Sequence, residues 1–461
     1  MTHKPATDTI AAIATPPGEG AIAIIRLSGP RALAIADQTF RCPAPPPSHR
    51  PAGTFIRGKV IAPDTGETLD TALLLIFKAP HSYTGENSVE IQCHGGTQTA
   101  QRILNALFST GARQAEPGEF TKRAFLNDKM DLTQAEAVAD LIHARSERAA
   151  RLATAQLKDT LGQNIRLIYD QLLAEAADVE AMLDFADDEL PQTVPTEISR
   201  RIEATKAQIQ TLLATWQEGH VLREGARVVI AGAPNVGKST LMNQLTGRNR
   251  VIVSPQPGTT RDTIEEPLNL QGYPIHLTDT AGLRSTTSQI EQEGIRRTQQ
   301  ALNEADLIIY MLDASQNLST DEKNFLKEHK TSNILVLINK IDLEQVIFTK
   351  NLPDFDVLEI SLKKEPKIPQ ICEKIVAKIV KTPPSSDSSE FAISLRHKIH
   401  LDAALKEIHL AQKLLQTASE SDYLLAATHL RAAMEKIGHI FGKNCPEDLL
   451  NQIFSRFCVG K

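Results

Sequence analysis

Residues Gly232–Thr240 read GAPNVGKST, and they follow directly on the apolar run Val228-Val229-Ile230-Ala231. The stretch satisfies the pattern of a phosphate-binding loop: a glycine, four residues, then Gly237-Lys238-Ser239. Its glycines let the backbone turn tightly and aim several N–H groups at one phosphate. Lys238 supplies a compact positive charge between the two terminal phosphates, and the Ser239 hydroxyl suits Mg²⁺. Leu241, Met242 and Leu245 continue the chain as a helix, whose N-terminal dipole favours an anion. Strand, loop and helix in this order predict an α/β P-loop domain. Asn235, Val236, Gly237, Lys238, Ser239 and Thr240 are its candidate nucleotide contacts.

Two further strings follow in the order a guanine-nucleotide site requires. Asp279-Thr280-Ala281-Gly282 ends the apolar stretch Ile275–Thr278. An Asp there can hold the water shell of Mg²⁺, and the Gly N–H can sense the terminal phosphate, so the next loop can switch. Asn339-Lys340-Ile341-Asp342 ends the strand Ile334–Ile338, and an Asp at that place can accept from the guanine N1–H and 2-amino group. Adenine offers neither donor in that geometry. Ser361-Leu362-Lys363 follows the strand Val357–Ile360 and occupies the loop behind the base. Either short string in isolation marks an ordinary surface turn. Together with the phosphate loop they point to GTP, and they disfavour an ATP-dependent phosphotransferase.

The chain has 461 residues, which suggests about three domains at ~150 residues each. At 41% apolar residues it can bury ordinary cores. A formal charge of −6 does not announce a nucleic-acid binder, although a local basic patch can hide in an acidic total. The five cysteines are scattered without a CxxC pair, so neither a disulfide framework nor a zinc ribbon is supported. Cys93 and His94 are adjacent, a poor ligand spacing. The N-terminus has no charged-then-apolar signal pattern, and no run approaches a membrane span. A cytoplasmic, reducing location is expected.

Outward from the nucleotide motifs the organisation is multidomain. Residues 1–125 mix short apolar runs with Gly and Pro punctuation. Ala21–Leu27 and Leu73–Lys78 read as strands and Thr99–Leu107 as a helix, an α+β domain with a Pro-rich loop at Cys42–Pro51. Thr133-Gln134-Ala135-Glu136 has capping-box form. It opens a stretch rich in Ala, Leu, Glu, Gln and Arg that reaches Leu183 with a single glycine, Gly162, and predicts long packed helices. An acidic patch of Asp184, Asp187, Asp188 and Glu189 ends at Pro191, and another helix is expected at Glu197–Gly219. Residues 126–223 are thus the first part of an α-helical domain, 224–381 an inserted Ras-like α/β domain, and 382–461 the second helical part. Thr382–Ser389 has linker composition, and helical pattern resumes at Ile393–Phe441 and Glu447–Phe457.

One catalytic part is missing. In Ras-like enzymes a Gln after DxxG orients the attacking water. Here Leu283 stands in that place and cannot. Arg261 and Arg284 are candidate fingers for the developing negative charge. A monovalent cation held by the Asn235 carboxamide and by backbone carbonyls of the first switch is another solution, although Asn235 also suits a plain turn.

Several further strings stand out: Ala14-Thr15-Pro16-Pro17-Gly18, Ile25-Arg26-Leu27-Ser28-Gly29, Tyr83-Thr84-Gly85-Glu86 and His94-Gly95-Gly96. They continue through the run from Pro117-Gly118-Glu119-Phe120 to Lys129, then Gly258-Thr259-Thr260-Arg261-Asp262 and the terminal Cys458-Val459-Gly460-Lys461. On these strings the sequence closely resembles the MnmE (TrmE) tRNA-modification GTPases over essentially its whole length. The resemblance implies an N-terminal domain that dimerises and binds 5-formyl- or 5,10-methylene-tetrahydrofolate, with Arg26, Glu90, Lys129 and Lys461 as contacts. It implies K⁺ at Asn235, Ser254, Gln256 and Thr259, and Mg²⁺ at Ser239 and Thr260. It extends the nucleotide contacts over Ser254, Pro255, Gln256, Pro257, Gly258, Thr259 and Thr260. Lys238, Thr260 and Glu291 are the implied catalytic residues, Glu291 orienting water when two G domains meet. Pro257 is not part of the family pattern, and Leu362 stands where Ala is usual. Cys458 suits either a thiolate attacking C6 of a uracil ring or a small residue positioned near folate; no His lies nearby in sequence to lower its pKa.

The function implied is GTP hydrolysis coupled to modification of the wobble uridine of certain tRNAs. An FAD-dependent partner of the MnmG/GidA type shares the work, and the product carries an aminomethyl-type group on C5. The alternative from another class is a ribosome-assembly GTPase, a binding switch without a modification reaction. Nucleoside analysis of tRNA from cells without the protein separates the two.

Overall fold

The computed structural model describes residues 7–184, 193–249, 265–279, 288–347, 349–352, 354–380, 391–416, 420–443 and 445–461. These form two compact units. One comprises residues 1–139, 156–202 and 403–461, and the other 140–155 and 203–402.

The first unit contains a seven-stranded sheet. Its strands are β1 (Ile10–Ile13), β2 (Ile22–Ser28), β3 (Phe40–Arg41), β4 (Thr54–Ile61), β5 (Thr68–Phe77), β6 (Ser88–His94) and β7 (Arg113–Gln114), in the order β3-β4-β5-β6-β2-β1-β7. All neighbours are antiparallel except β1 and β7. Alternation along β2 decides its two faces. Ala23, Ile25 and Leu27 are buried with Ile35 and Ala36 of the helix Ala32–Thr39 and Ile103 and Leu107 of the helix Thr97–Ser109. Ile24 and Arg26 take the opposite face. Strand β5 begins five residues before the expected Leu73, because β4 offers it backbone partners back to Thr68. Cys93 turns inward, where burial and then Asp70 push its thiol up to about 11. Its neighbour His94 turns out and meets Asp70 at 2.8 Å, so the pair shares no ligand face.

The helices of this unit include Thr160–Asp184, Glu420–Phe441 and Glu447–Phe454, with Leu132–His143 beginning in it. The expected long helical stretch is broken before Thr160, where Asp159 adopts φ 70°. The capping box lies two residues earlier than Thr133–Glu136. Gln134 N donates to Asp131 Oδ1 at 2.9 Å and Asp131 N donates to Gln134 Oε1 at 3.0 Å. Asp131 takes the cap because its carboxylate also accepts from the Thr133 hydroxyl, at 2.7 Å, leaving Thr133 inside the first turn. Of the acidic patch, Asp184 ends its helix, while 187–189 and Pro191 lie outside the described residues, as does the linker 382–389.

The second unit holds β8 (Ala226–Gly232), β9 (Glu265–Leu270), β10 (Tyr273–Asp279), β11 (Leu307–Asp313), β12 (Ile334–Asn339) and β13 (Asp356–Glu359), in the order β13-β12-β11-β8-β10-β9. Five strands are parallel, and β9 is an antiparallel edge strand. Parallel strands need helical crossovers, so both faces are covered and the strands read as continuous apolar runs. Val228, Ile230, Ile309, Met311, Leu335 and Leu337 pack one way with Leu241, Leu245, Ile371 and Ile375. Val229, Ile308, Tyr310, Leu312, Val336 and Ile338 pack the other way with Leu302 and Leu326. Helices Lys238–Asn249, Ser288–Glu304, Thr320–Glu328 and Ile368–Val380 supply these layers. The helix expected at Glu197–Gly219 is two helices, Thr193–Ala214 and Trp216–Glu224, divided at Thr215, whose hydroxyl donates to Leu212 O at 2.7 Å.

Candidate functional site

The phosphate loop connects the C-terminal end of β8 to the helix Lys238–Asn249, beside the ends of β10, β11 and β12. Ligands of open parallel sheets bind at this end. Both glycines of the loop are obligatory. Gly232 has φ +141°, and a Cβ there would lie 2.4 Å from the Met311 carbonyl; at Gly237, with φ +108°, it would meet Asn339 Nδ2 at 2.6 Å. Asn235 adopts the left-handed conformation at φ 62°, which Asn tolerates better than most residues, and its side chain is exposed. The Lys238 ammonium is buried in the loop's hollow and donates to the carbonyls of Gly232 at 2.9 Å and Ala233 at 2.7 Å. The Ser239 hydroxyl donates to Asp279 Oδ2 at 3.2 Å. Two hard oxygen donors thus face each other at the helix N-terminus, a fit for Mg²⁺ completed by waters and phosphate oxygens.

The base end is built on buried Asn339. Its Nδ2 donates to Val236 O at 2.8 Å, and its Oδ1 accepts from Leu362 N at 3.1 Å. One side chain therefore ties the phosphate loop to the loop behind the base. Lys340, at φ 66°, pairs with Asp313 at 2.6 Å. Burial would push Asp313 up, but Lys340 and two hydrogen bonds from Ser315 hold its carboxyl below the ordinary value. Ser361 Oγ donates to Asp342 Oδ1 at 2.7 Å, and this bond is the main cause holding Asp342 below the ordinary carboxylate value. Val236, Gly237 and Thr240 occupy the loop and the first turn of the helix, as expected.

Ser254, Pro255, Gln256, Pro257, Gly258, Thr259, Thr260 and Arg261 lie outside the described residues, as do Thr280, Ala281, Gly282, Leu283 and Arg284. Glu291 falls within the helix Ser288–Glu304.

The second cluster belongs to the first unit. Arg26 on β2 is in register with Glu90 on β6, and the two form an ion pair at 2.8 Å. The guanidinium lies over the rings of Tyr83 and Phe120, 5.4 and 5.6 Å from their centroids. The C-terminal tail closes the cluster. Arg26 Nη1 donates to Gly460 O at 3.3 Å, Phe120 N to Lys461 O at 3.2 Å, and Gly118 N to Cys458 O at 3.4 Å. Gly460 is required here: at φ +95° a Cβ would sit 2.6 Å from the Ile13 carbonyl. Burial and the nearby Arg26 push the Lys461 ammonium down, with Glu90 partly offsetting them. Lys129 Nζ donates to Pro80 O at 3.1 Å, and the Lys129 stem runs against Gly85. Cys458 is exposed.

Sequence reasoning missed Tyr83 and Phe120 as walls of this cluster, and the ion network around buried Arg123 beside it. Arg123 meets Glu119 at 2.9 Å, Asp8 at 2.8 Å and Glu86 at 3.2 Å. All but Asp8 lie in stretches already singled out by resemblance, but without geometry that signal does not separate ligand contacts from supports. Among the described residues no group of three His, Cys, Asp or Glu is placed to hold a metal, and no helix is long and apolar enough to cross a membrane.

The N-terminal family of the GTP-binding protein TrmE matches residues 9–129, and the MnmE helical domain family matches 132–458. The chain is 41% identical over 459 residues to the tRNA modification GTPase MnmE of Syntrophus aciditrophicus, covering 98% of this chain and 99% of that protein. It is 40% identical over 459 residues to the protein of the same name from Geobacter metallireducens, with the same coverage of each chain. Among solved structures, Era of Aquifex aeolicus bound to GDP and AlF₄⁻ is 26% identical, covers 40% of this chain and 67% of its own, and has a TM-score of 0.27. Matched at both its N-terminal and helical parts, and along nearly its full length by whole relatives, the chain belongs to the MnmE (TrmE) family of tRNA modification GTPases.

Proposed function

We propose that this chain hydrolyses GTP and acts with an FAD-dependent protein of the MnmG/GidA type to add a (carboxymethyl)aminomethyl group to C5 of the wobble uridine of certain tRNAs. Two copies of the chain pair through their N-terminal domains. The observation that carries the GTP part is the Asp342 carboxylate, fixed by Ser361 beside Asn339. The tRNA part is supported by the full-length relatives, which carry the name tRNA modification GTPase.

In this reading Lys238 holds the terminal phosphates, while Ser239, with Thr260, and Asp279 hold Mg²⁺ and its waters. Asn235, with the main-chain oxygens of Ser254 and Gln256 and with Thr259, holds K⁺. When bound, these cations supply positive charge at the phosphates where negative charge develops. Glu291 orients the attacking water in place of the missing Gln. The reduced folate that donates the one-carbon unit binds at Arg26, Glu90, Lys129 and Lys461. An Arg and a Lys suit its carboxylates or pterin carbonyl, and Glu90 suits its N–H edge. The Arg26–Glu90 pair and the docked Lys461 support this fit, because they bring both signs of charge together in one partly buried place.

The test is the nucleoside profile of tRNA from cells lacking the protein. The modified wobble uridine should disappear, return with the wild-type chain, and fail to return with Asp342→Asn. A profile unchanged by deletion would favour the ribosome-assembly alternative.

A further inference from the structure

The hairpin of β9 and β10 has two ends of different character. Its open end carries Asp279, bonded to Ser239 of the phosphate loop, and Glu265 opposite Thr278. Its closed end is the two-residue turn Gln271-Gly272, with φ 53° and 90°, flanked by the pair Leu270 and Tyr273. The register between the ends is unbroken from Leu270↔Tyr273 to Glu265↔Thr278. The hairpin therefore runs as one continuous two-stranded ladder for about 20 Å, at ~3.3 Å per residue.

The closed end is fastened to helices outside the nucleotide-binding sheet. Arg148, on the helix Glu147–Leu157, crosses the Tyr273 ring at 4.8 Å from its centroid. Glu218 Oε1, on the helix Trp216–Glu224, accepts from Arg148 Nε at 3.0 Å, from Arg148 Nη2, and from the Tyr273 hydroxyl at 3.3 Å. Tyr273 is buried, and burial followed by Glu218 pushes its hydroxyl up to about 12. The Arg148 and Glu218 side chains are only 25% and 20% exposed, unlike the solvated pairs that contribute little. Gly272 lets the turn approach, since a Cβ there would lie 3.3 Å from Arg148 Cβ. The same helix, through Arg223, bonds Asp140 Oδ2 at 2.6 Å and the carbonyls of Ile393 and Ala392 at 2.8 and 2.9 Å. It thereby clamps the segments on either side of the inserted domain.

We propose that Arg148, Glu218 and Tyr273 are positioning residues forming a latch, which passes the nucleotide state at the open end of the hairpin to the helices Glu147–Leu157 and Trp216–Glu224. The inference rests on GTP being the ligand. Tyr273 carries the hairpin's ring contact to Arg148 and its hydroxyl contact to Glu218, so a shift of the hairpin disturbs both at once against a helix-to-helix pair that holds the two helices together, as expected of a coupled network.

The experiment compares amide hydrogen exchange in residues 147–157 and 216–224 of the full chain, with Mg²⁺ and K⁺, bound to GDP or to a non-hydrolysable GTP analogue. In the wild type, protection should differ by roughly threefold or more between the two states. Arg148→Ala should erase that difference, and Tyr273→Phe, which keeps the ring, should reduce it. Analogue affinity, measured by calorimetry on the same samples, should stay within about twofold, because neither side chain touches the site. A wild type without nucleotide-dependent protection would overturn the latch, as would an Arg148→Ala or a Tyr273→Phe protein that keeps the full difference. Absence of any guanine-nucleotide binding would instead overturn the GTP reading.

Discussion

Asp342 can discriminate guanine only if its carboxylate stays ionised and fixed in direction. Ser361 does both, by donating to one oxygen and by stabilising the charged form. Replacing Asp342 with Asn substitutes a donor for one acceptor and faces it to the guanine donors. Hydrogen bonds to charged groups contribute ~1.5–3 kcal/mol each, so GTP affinity should fall by about tenfold to a hundredfold or more. The preference over ATP should shrink with it. Calorimetric titration with both nucleotides reads this directly, and unchanged selectivity would remove the base-reading role from this loop. Ser361→Ala should have a smaller effect of the same sign, because the carboxylate remains but loses its support.

At the scale of elements, Asn339 joins three pieces of backbone: the end of β12, the phosphate loop at Val236, and the loop at Leu362. Asn339→Ala would leave two backbone groups without these partners, at ~1–3 kcal/mol each. The nucleotide-binding unit should therefore unfold at lower urea concentration. Trp216, the chain's single tryptophan, stacks on His220 in the same unit and gives the fluorescence signal. An unchanged midpoint would show that the loops hold together without it. The ends of β8, β10 and β12 were readable in sequence because each motif follows an apolar run without interruption. The edge strand β9 was not, since Glu265, Glu266 and Pro267 break its apolar pattern and only pairing with β10 makes it a strand. Arg26 and Glu90 were found by resemblance, but their ion pair was not legible. It depends on the β2–β6 register, which no local spacing encodes. The Asp131 cap was missed by two residues for a simpler reason: Asp131 and Thr133 both fit the motif, and only tertiary geometry chooses between them.

At the scale of the whole chain, residues 434 apart in sequence meet where Arg26 holds Gly460. Burial, with the nearby Arg26, lowers the Lys461 pKa below 10.5, so the docked tail is destabilised while the ammonium is charged; this cost is full below the lowered value and is relieved as pH rises from there to 10.5. An anionic ligand reverses that balance by favouring the charged form. Affinity for 5-formyl-tetrahydrofolate should accordingly weaken as pH climbs through the lowered pKa, and Lys461→Ala should flatten the profile. A wild-type affinity independent of pH up to 10.5 would exclude Lys461 as a contact. The other whole-molecule prediction concerns activation. Leu283 cannot orient water, and Glu291 lies beyond the segment expected to switch, so turnover should need pairing of G domains and a cation beside the phosphates. Such charge, supplied elsewhere by an arginine finger, is worth ~10³–10⁵ in rate. GTP turnover should rise with protein concentration in KCl and much less in NaCl, because sodium prefers shorter ligand distances. Asn235 sits at φ 62°, so an Ala there adds backbone strain to the loss of its oxygen. Asn235→Gly removes the carboxamide without that strain and is the cleaner variant. It should abolish K⁺ stimulation while GTP binding persists, and Glu291→Ala should slow turnover while K⁺-induced pairing persists. Equal rates in the two salts, with Asn235→Gly indistinguishable from wild type, would leave the charge to Arg261 or Arg284 instead.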